Sequence, residues 1–245
     1  MRIIDSAKRA AINWMNSPAA VRRRMPDIDP KALEIFEKVR PFTMTTPERV
    51  FAVCQAVRYV ESAGVPGAFV ECGVYRGGSS MAAALSFAAP RDLYLFDTYE
   101  GMSAPTEADQ RAVDSAPAGR LLNAAAKDEM IWCYSPLDEV QANMASTGYP
   151  MDRVHLVKGM VEATLPAQAP GEIAILRLDT DWYESTRHEL EHLYPRLAPG
   201  GVLIIDDYGY WAGARKAVDE YFSGKVLLQR IDATGRMLVK SSQPT

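Results

Sequence analysis

The chain has 245 residues, 48% of them hydrophobic and 24% charged, with a formal net charge of −4 and a sequence pI of about 5.5. That length suits one α/β domain carrying an additional segment, and the balance is that of a globular protein rather than a disordered or membrane chain. The densest basic run is Val21-Arg22-Arg23-Arg24, which reads as a solvated helix face and falls short of the footprint a nucleic-acid partner requires. Cys54, Cys72 and Cys133 are odd in number and form no CxxC, which argues against a disulfide framework or a structural zinc site and for a cytoplasmic setting.

Residues 1–47, interrupted by Pro18, Pro26, Pro30 and Pro41, read as a polar helical appendage or lid, and residues 48–245 as the main domain. The N-terminus shows no secretory h-region, and no apolar run approaches the ~20 residues that span a bilayer, so no stable membrane insertion is expected. Residues 10–20 suit a short amphipathic helix packed on a partner or acting as a lid. Thr46-Pro47-Glu48 opens a helix with proline in a tolerated first-turn position. It runs to about Ser62 on an apolar face of Val50, Val53, Cys54, Val57 and Val60. Ala68-Phe69-Val70-Glu71-Cys72 reads as a buried strand, residues 73–79 as a glycine turn, residues 80–88 as a helix, and Leu93–Phe96 as a second strand ending at Asp97. That βαβ order implies a parallel sheet.

Residues 98–130 form a long irregular stretch of the kind that serves as a functional loop or lid. Further on, a helix is expected from Ser135-Pro136 to about Thr147, strands over 154–157, 173–178 and 202–205, and helices over 184–194 and 212–222. Residues 226–230 and 236–240 suit a terminal hairpin around Thr234-Gly235. The fold expected is a seven-stranded, doubly wound, mostly parallel α/β sheet with a C-terminal antiparallel hairpin and an N-terminal helical lid.

Ligands of open α/β sheets bind beyond the carboxyl ends of the strands, and here those ends carry Glu71, Asp97, Asp179 and Asp206-Asp207. Glycines at 73, 77 and 78 let the backbone turn sharply and approach a ligand closely. The spacing is not the G-x-G-x-x-G of nicotinamide enzymes, and an acid before the turn suits the cationic methionine end of S-adenosylmethionine better than a pyrophosphate. Asp97, at the end of the next strand, is placed to hold ribose hydroxyls. Asp179-Thr180-Asp181 and Asp206-Asp207 would repel one another if ionised and unpaired. A hard divalent cation, Mg²⁺ with Mn²⁺ or Ca²⁺ as alternatives, would resolve this, and one acid outside its coordination sphere could take a proton. His188-Glu189-Leu190-Glu191-His192 matches H-E-x-x-H, but Pro195 closes that helix at once and a third ligand is hard to find, so an amphipathic surface helix is the preferred reading.

Four segments, 69–79, 96–102 (Phe-Asp-Thr-Tyr-Glu-Gly-Met), 176–186 (Leu-Arg-Leu-Asp-Thr-Asp-Trp-Tyr-Glu-Ser-Thr) and 199–208 (Pro-Gly-Gly-Val-Leu-Ile-Ile-Asp-Asp-Tyr), together resemble the macrocin and noviose O-methyltransferases, which methylate sugar hydroxyls. The resemblance covers about residues 41–221. It implies a Rossmann-like class I methyltransferase fold with S-adenosylmethionine as cofactor and a Mg²⁺ site of Asp179, Asp206 and Asp207, with Asp181 as general base. It also implies that Glu71, Gly73, Val74 and Tyr75 line the methionine part of the cofactor, with Asp97 at its ribose. Thr45 would close over the cofactor, and Ser135, Gly159, Met160 and Val161 would lie by the adenine. The chain departs from the family's usual pattern at Thr180, where glycine is common between the two acids, at Met160, where an aromatic is common, and in the bulk of Trp182.

The expected acceptor is a small hydroxylated molecule, a sugar or glycosylated metabolite. The competing readings are a catechol-type methyltransferase with a phenolic acceptor, a non-catalytic S-adenosylmethionine-binding protein and, least favoured, a zinc peptidase. Homo-oligomerisation through the N-terminal helices stands as an expectation.

Overall fold

A computed structural model of the chain describes residues 17–127 and 129–241; the first half of the helix expected over residues 10–20 lies outside them. Seven strands form one sheet in the order β3-β2-β1-β4-β5-β7-β6. They are β1 (Ala68–Cys72), β2 (Leu93–Asp97), β3 (Val154–Lys158), β4 (Ile173–Leu178), β5 (Leu197–Ile205), β6 (Gln229–Arg230) and β7 (Arg236–Val239). The first five pair in parallel, and β7 runs antiparallel to both β5 and β6. This is the Rossmann-like, doubly wound arrangement expected from the sequence. Strand order reverses between β1 and β4, which is where such sheets open a ligand crevice.

The two faces are covered by different helices. On one lie α2 (Pro30–Val39), α3 (Pro47–Ser62) and α4 (Gly78–Ser86), which bury Leu33, Phe36, Val53, Val57 and Met81 against Phe69, Leu93 and Ile175. On the other lie α8 (Tyr183–Leu193) and α9 (Ala212–Phe222), which bury Leu190, Leu193, Val218 and Phe222 against Val70, Leu176 and Leu203. The segment before residue 47 is less polar than its sequence suggested. After the short, seven-residue α1 (Pro18–Arg24), α2 places five buried residues, Ala32, Leu33, Ile35, Phe36 and Val39, in the same core as α3.

The helix starts follow from capping. Thr46 sits in extended conformation and its hydroxyl accepts from Arg49 N, with Pro47 as the first helical residue of α3; Asp29 accepts from Lys31 N and Ala32 N ahead of Pro30 in α2. Each arrangement satisfies amides that the first turn leaves without a partner.

Three elements differ from expectation. β5 begins at Leu197, five residues early, because Leu197 pairs with Ile173 and Val202 with Ile175. Residues 198–201 bulge between these pairs, which accommodates Pro199 and its missing N–H. β6 is two residues long, since the apolar run before it, Val226-Leu227-Leu228, takes no ladder position. A single turn, α7 (Val161–Thr164), follows β3.

The stretch after β2 is built rather than loose. It contains α5 (Ala118–Asn123) and a 3₁₀ turn at Met130–Trp132, and is followed by α6 (Leu137–Ala145). Asp109 anchors it. This side chain is fully buried; its Oδ1 accepts from Tyr183 N at 2.7 Å, capping α8 from a distance, while Oδ2 accepts from Thr106 N and Oγ1. Gly213 of α9 packs so tightly here that a Cβ would stand 2.1 Å from Asp109 Oδ1. Trp182 Nε1 donates to Ser103 O at 3.1 Å, and backbone bonds join Ala112 to Tyr210 and Ala212 to Gln110. Asp109→Ala is therefore expected to remove the clip without melting the sheet, at a cost of about 1–3 kcal/mol for the amides left unpaired. Limited proteolysis should then cut residues 103–117 several-fold faster while circular dichroism stays native.

Candidate active site

The strand ends line up because their ladders continue one residue past the sheet. Gly159 N bonds Asp97 O, Gly73 N bonds Phe96 O, Asp179 N bonds Cys72 O and Asp206 N bonds Leu178 O, all at 2.9–3.0 Å. Gly73 must be glycine: its φ is +81°, and a Cβ would lie 2.0 Å from Asp179 O, so any side chain would push β1 and β4 apart. Tyr75 and Asp181 also adopt left-handed backbone, with φ of 51° and 69°, an uncommon state for residues other than glycine that clusters at functional sites.

These ends floor a cavity of about 500 Å³. On the β1–β2–β3 side it is lined by Glu71, Gly73, Val74, Tyr75, Asp97, Gly159, Met160 and Val161. On the β4–β5 side it is lined by Asp179, Asp181, Asp206 and Asp207, with Thr45 at its rim. Ser135 is the one sequence-predicted site residue outside this lining; it is buried and its hydroxyl has no partner among the described residues. Residues 98–133 contribute Gly101, Met102, Ser103, Met130, Ile131 and Cys133 as a wall.

Asp97 is a backbone clasp as well as a strand-end acid. Its Oδ2 accepts from Val74 N at 2.7 Å and Tyr75 N at 3.0 Å, and Oδ1 from Tyr99 N at 2.8 Å, which holds the glycine turn and the start of the next loop together. Burial pushes its carboxyl upward despite those three donors. Oδ2 spends both of its lone pairs on the Val74 and Tyr75 amides, and Oδ1 is the oxygen that keeps one for a ligand.

The sequence reading missed Arg177. It lies inside β4, is 1% exposed, and ties three strand ends together. Its guanidinium donates to Glu71 Oε1 of β1 at 2.5 Å, Asp179 Oδ2 after β4 at 2.7 Å and Asp206 Oδ1 after β5 at 2.5 Å. Ser80 takes the other Glu71 oxygen, so Glu71 faces an internal cation and an internal hydroxyl. A second arginine, Arg49 of α3, reaches Asp206 Oδ2 and, at 3.0 Å, Asp232 Oδ2. The premise that the strand-end acids are unpaired is therefore corrected. Asp179 and Asp206 carry guanidinium partners, while Asp181 and Asp207 carry none among the described residues.

The arginines do not discharge the cluster. Among the described residues, the arginines paired with the group Glu71, Asp179, Asp181, Asp206 and Asp207 are Arg49 and Arg177, two cations against five acids. Burial, then the charges of the neighbouring acids, holds Asp207 well above the usual carboxylate range; burial does the same to Asp179 against the pull of Arg177. Burial and the Asp179 charge push Asp181 up to about 7. Asp179, Asp206 and Asp207 each offer an oxygen within 4.8 Å of the others, and Asp207 Oδ2 is buried without a partner. That all-oxygen donor set fits a hard divalent cation.

The H-E-x-x-H segment has no such geometry. His188 and His192 share the outer face of α8 with ring centroids 4.3 Å apart, while Glu189 turns inward and is fully buried. The carboxylate trio is the sole group of three or more metal-ligating side chains brought together among the described residues, and it includes neither histidine.

Comparison with known proteins agrees with this architecture. The sequence profile of the macrocin-O-methyltransferase (TylF) family matches residues 6–239. A 4′-O-methyltransferase of Streptomyces olivaceus that acts on 8-demethyl-8-(2,3-dimethoxy-α-L-rhamnosyl)-tetracenomycin C is 37% identical over 95% of this chain and 90% of its own. The demethyldecarbamoylnovobiocin O-methyltransferase of Streptomyces niveus is 34% identical over 73% and 67%. The solved structure of the O-methyltransferase NovP superposes with a TM-score of 0.68 at 29% identity, covering 82% of each chain. The chain belongs to the macrocin O-methyltransferase family and is an S-adenosylmethionine-dependent O-methyltransferase.

Proposed function

We propose that the chain transfers a methyl group to a hydroxyl of a sugar carried on a larger metabolite, and that it does so with a divalent cation. The observation that carries this reading is the placement of Asp181 beside the Asp179–Asp206–Asp207 trio, across one cavity from the Gly73–Tyr75 turn. The relative from Streptomyces olivaceus, named for a rhamnosyl-bearing tetracenomycin, supports the acceptor class.

In this reading Asp97 and the 73–75 and 159–161 backbones hold the cofactor's nucleoside and methionine parts. Asp179, Asp206 and Asp207 would hold the cation, which when bound supplies Lewis acidity toward an acceptor hydroxyl. Asp181 receives the acceptor's proton. Burial raises its proton affinity above that of an ordinary carboxylate, the direction that suits a general base. The left-handed backbone at Asp181 turns its side chain out of the Asp179 register. The indole of Trp182 is bonded to Ser103 O and packs edge-on against Trp211, which lines the cavity. Positioning and fixed charges supply most of the rate.

Calorimetric titration of S-adenosylmethionine with and without Mg²⁺, followed by a methyl-transfer screen over glycosides, tests the reading. Chelation with EDTA should abolish turnover and added Mg²⁺ should restore it, with cofactor affinity changing by less than about threefold. Asp179→Ala and Asp206→Ala should each lose that restoration. Turnover that survives chelation in both variants would remove the cation from the mechanism.

A further inference from the structure

We propose that Thr234, at the tip of the C-terminal hairpin, is an acceptor-binding residue whose hydroxyl bonds an oxygen of the sugar next to the one methylated. The inference rests on the sugar-acceptor reading above and gives that site a specificity-determining residue contributed by the hairpin.

The first observation is placement. In the sheet, the strands carrying the cofactor segments lie on one side of the β1–β4 switch, and β5, β7 and β6 lie on the other. Thr234 precedes β7, lines the cavity together with Asp206, Asp207 and Tyr210, and so stands on the acceptor half. Its Oγ1 is buried without a hydrogen-bond partner among the described residues, an arrangement that is costly unless a ligand completes it.

The second observation is that the tip is fixed. Asp232 Oδ1 accepts from Thr234 N at 2.9 Å and Gly235 N at 2.7 Å. Its Oδ2 accepts from Thr46 Oγ1 at 2.7 Å and Arg49 Nε at 3.0 Å. Arg49 in turn grips Asp206. Gly209 N donates to Thr234 O at 2.9 Å, and a Cβ on Gly209 would stand 2.2 Å from Ala233 O and 2.6 Å from Thr234 Cα. The tip is thus pressed onto the loop that carries Asp206 and Asp207, and Thr234 is held in register with them.

The third observation is chemical. A sugar presents oxygen acceptors as well as O–H donors. Asp179, Asp181, Asp206 and Asp207 serve only the former when ionised, and both arginines of the cavity are committed to carboxylates. A threonine hydroxyl donates and accepts, so Thr234 supplies what the carboxylates lack.

The experiment uses the full chain and the glycoside that the wild type methylates best in the screen, with p-nitrophenyl α-L-rhamnopyranoside as the minimal probe. Thr234→Val keeps the shape and removes the hydroxyl. It should lower kcat/KM for the glycoside about tenfold, the weight of one neutral hydrogen bond, mainly through KM. The calorimetric Kd for S-adenosylmethionine and the melting temperature should stay at wild-type values. Thr234→Ser should recover most of the loss. An unchanged acceptor kcat/KM in Thr234→Val overturns the proposal, as does an equal weakening of cofactor binding, which would put the hydroxyl on the cofactor side. A wild type that methylates no glycoside sinks the acceptor reading itself, and that result is distinct from either.

Discussion

Asp181→Asn should bind S-adenosylmethionine like the wild type and yet turn over about 10²–10⁴-fold more slowly, the usual weight of a general base. Asparagine keeps the size and the left-handed tolerance that φ 69° demands, so neither the Asp179–Asp181 turn nor the fold has reason to move. What disappears is a group that burial and the neighbouring Asp179 charge hold near pKa 7. The measurement is single-turnover methyl transfer beside a calorimetric cofactor titration. A variant within threefold of wild type in kcat would relocate the base. A variant that loses cofactor affinity in proportion to its rate would show that Asp181 serves binding instead.

The second large effect is expected on stability. Arg177→Met should cost about 3–5 kcal/mol, because it strands the charges of a buried ionic group whose partners stay in place. At about 2–4 °C per kcal/mol for a chain of this size, the melting temperature should fall by roughly 10 °C. The sign of the pH dependence follows from Glu71. Burial already raises its folded-state pKa, and the Arg177 charge works against that rise. Removing Arg177 raises it further above the unfolded value, so the variant's penalty is full at alkaline pH and shrinks as pH falls and Glu71 takes up a proton. Differential scanning calorimetry at pH 8 and pH 5.5 should show the larger deficit at pH 8. Adding Glu71→Gln to Arg177→Met should return part of the loss, which a purely steric role for the arginine would not allow.

The parts of the molecule that the sequence made legible are those with a short-range signature. Alternating βα periodicity, the glycine turn at 73–78 and the acids closing successive strands give the fold and both halves of the cavity. Arg177 is hidden by the same reading that finds its strand: Ile173–Leu178 reads as a strand, and that assignment gives the one cation inside it no role. The physical signal was present, since a central parallel strand is covered on both faces and an arginine there cannot reach water without a partner. Arg49 and Thr234 are of another kind. Arg49 reads as a polar position in the first turn of a helix, and Thr234 as a turn residue. Their roles come from the meeting of α3 with a hairpin 183 residues away in sequence, as the Arg49–Asp232 bond records, and no local pattern encodes that. The stretch at 98–130 lines the cavity, but its fastening was not legible: Asp109 ties it to the start of α8, and a buried aspartate in a charged, proline-bearing stretch looks like any solvated one.

That fastening has a consequence for how acceptor range can change. Asp109, Ser103 and the Gln110–Ala212 pairing are fixed points, while Val113 beyond them is 84% exposed and Met130, Ile131 and Cys133 beside them face the cavity. The wall is therefore a cassette with its own sockets, Tyr183 N and Gly213 on the α8–α9 platform. A segment exchanged between family members with an aspartate at position 109 and a glycine at position 213 should seat without disturbing Asp179, Asp206 or Asp207. Diversity in what is methylated can then accumulate separately from the machinery that methylates.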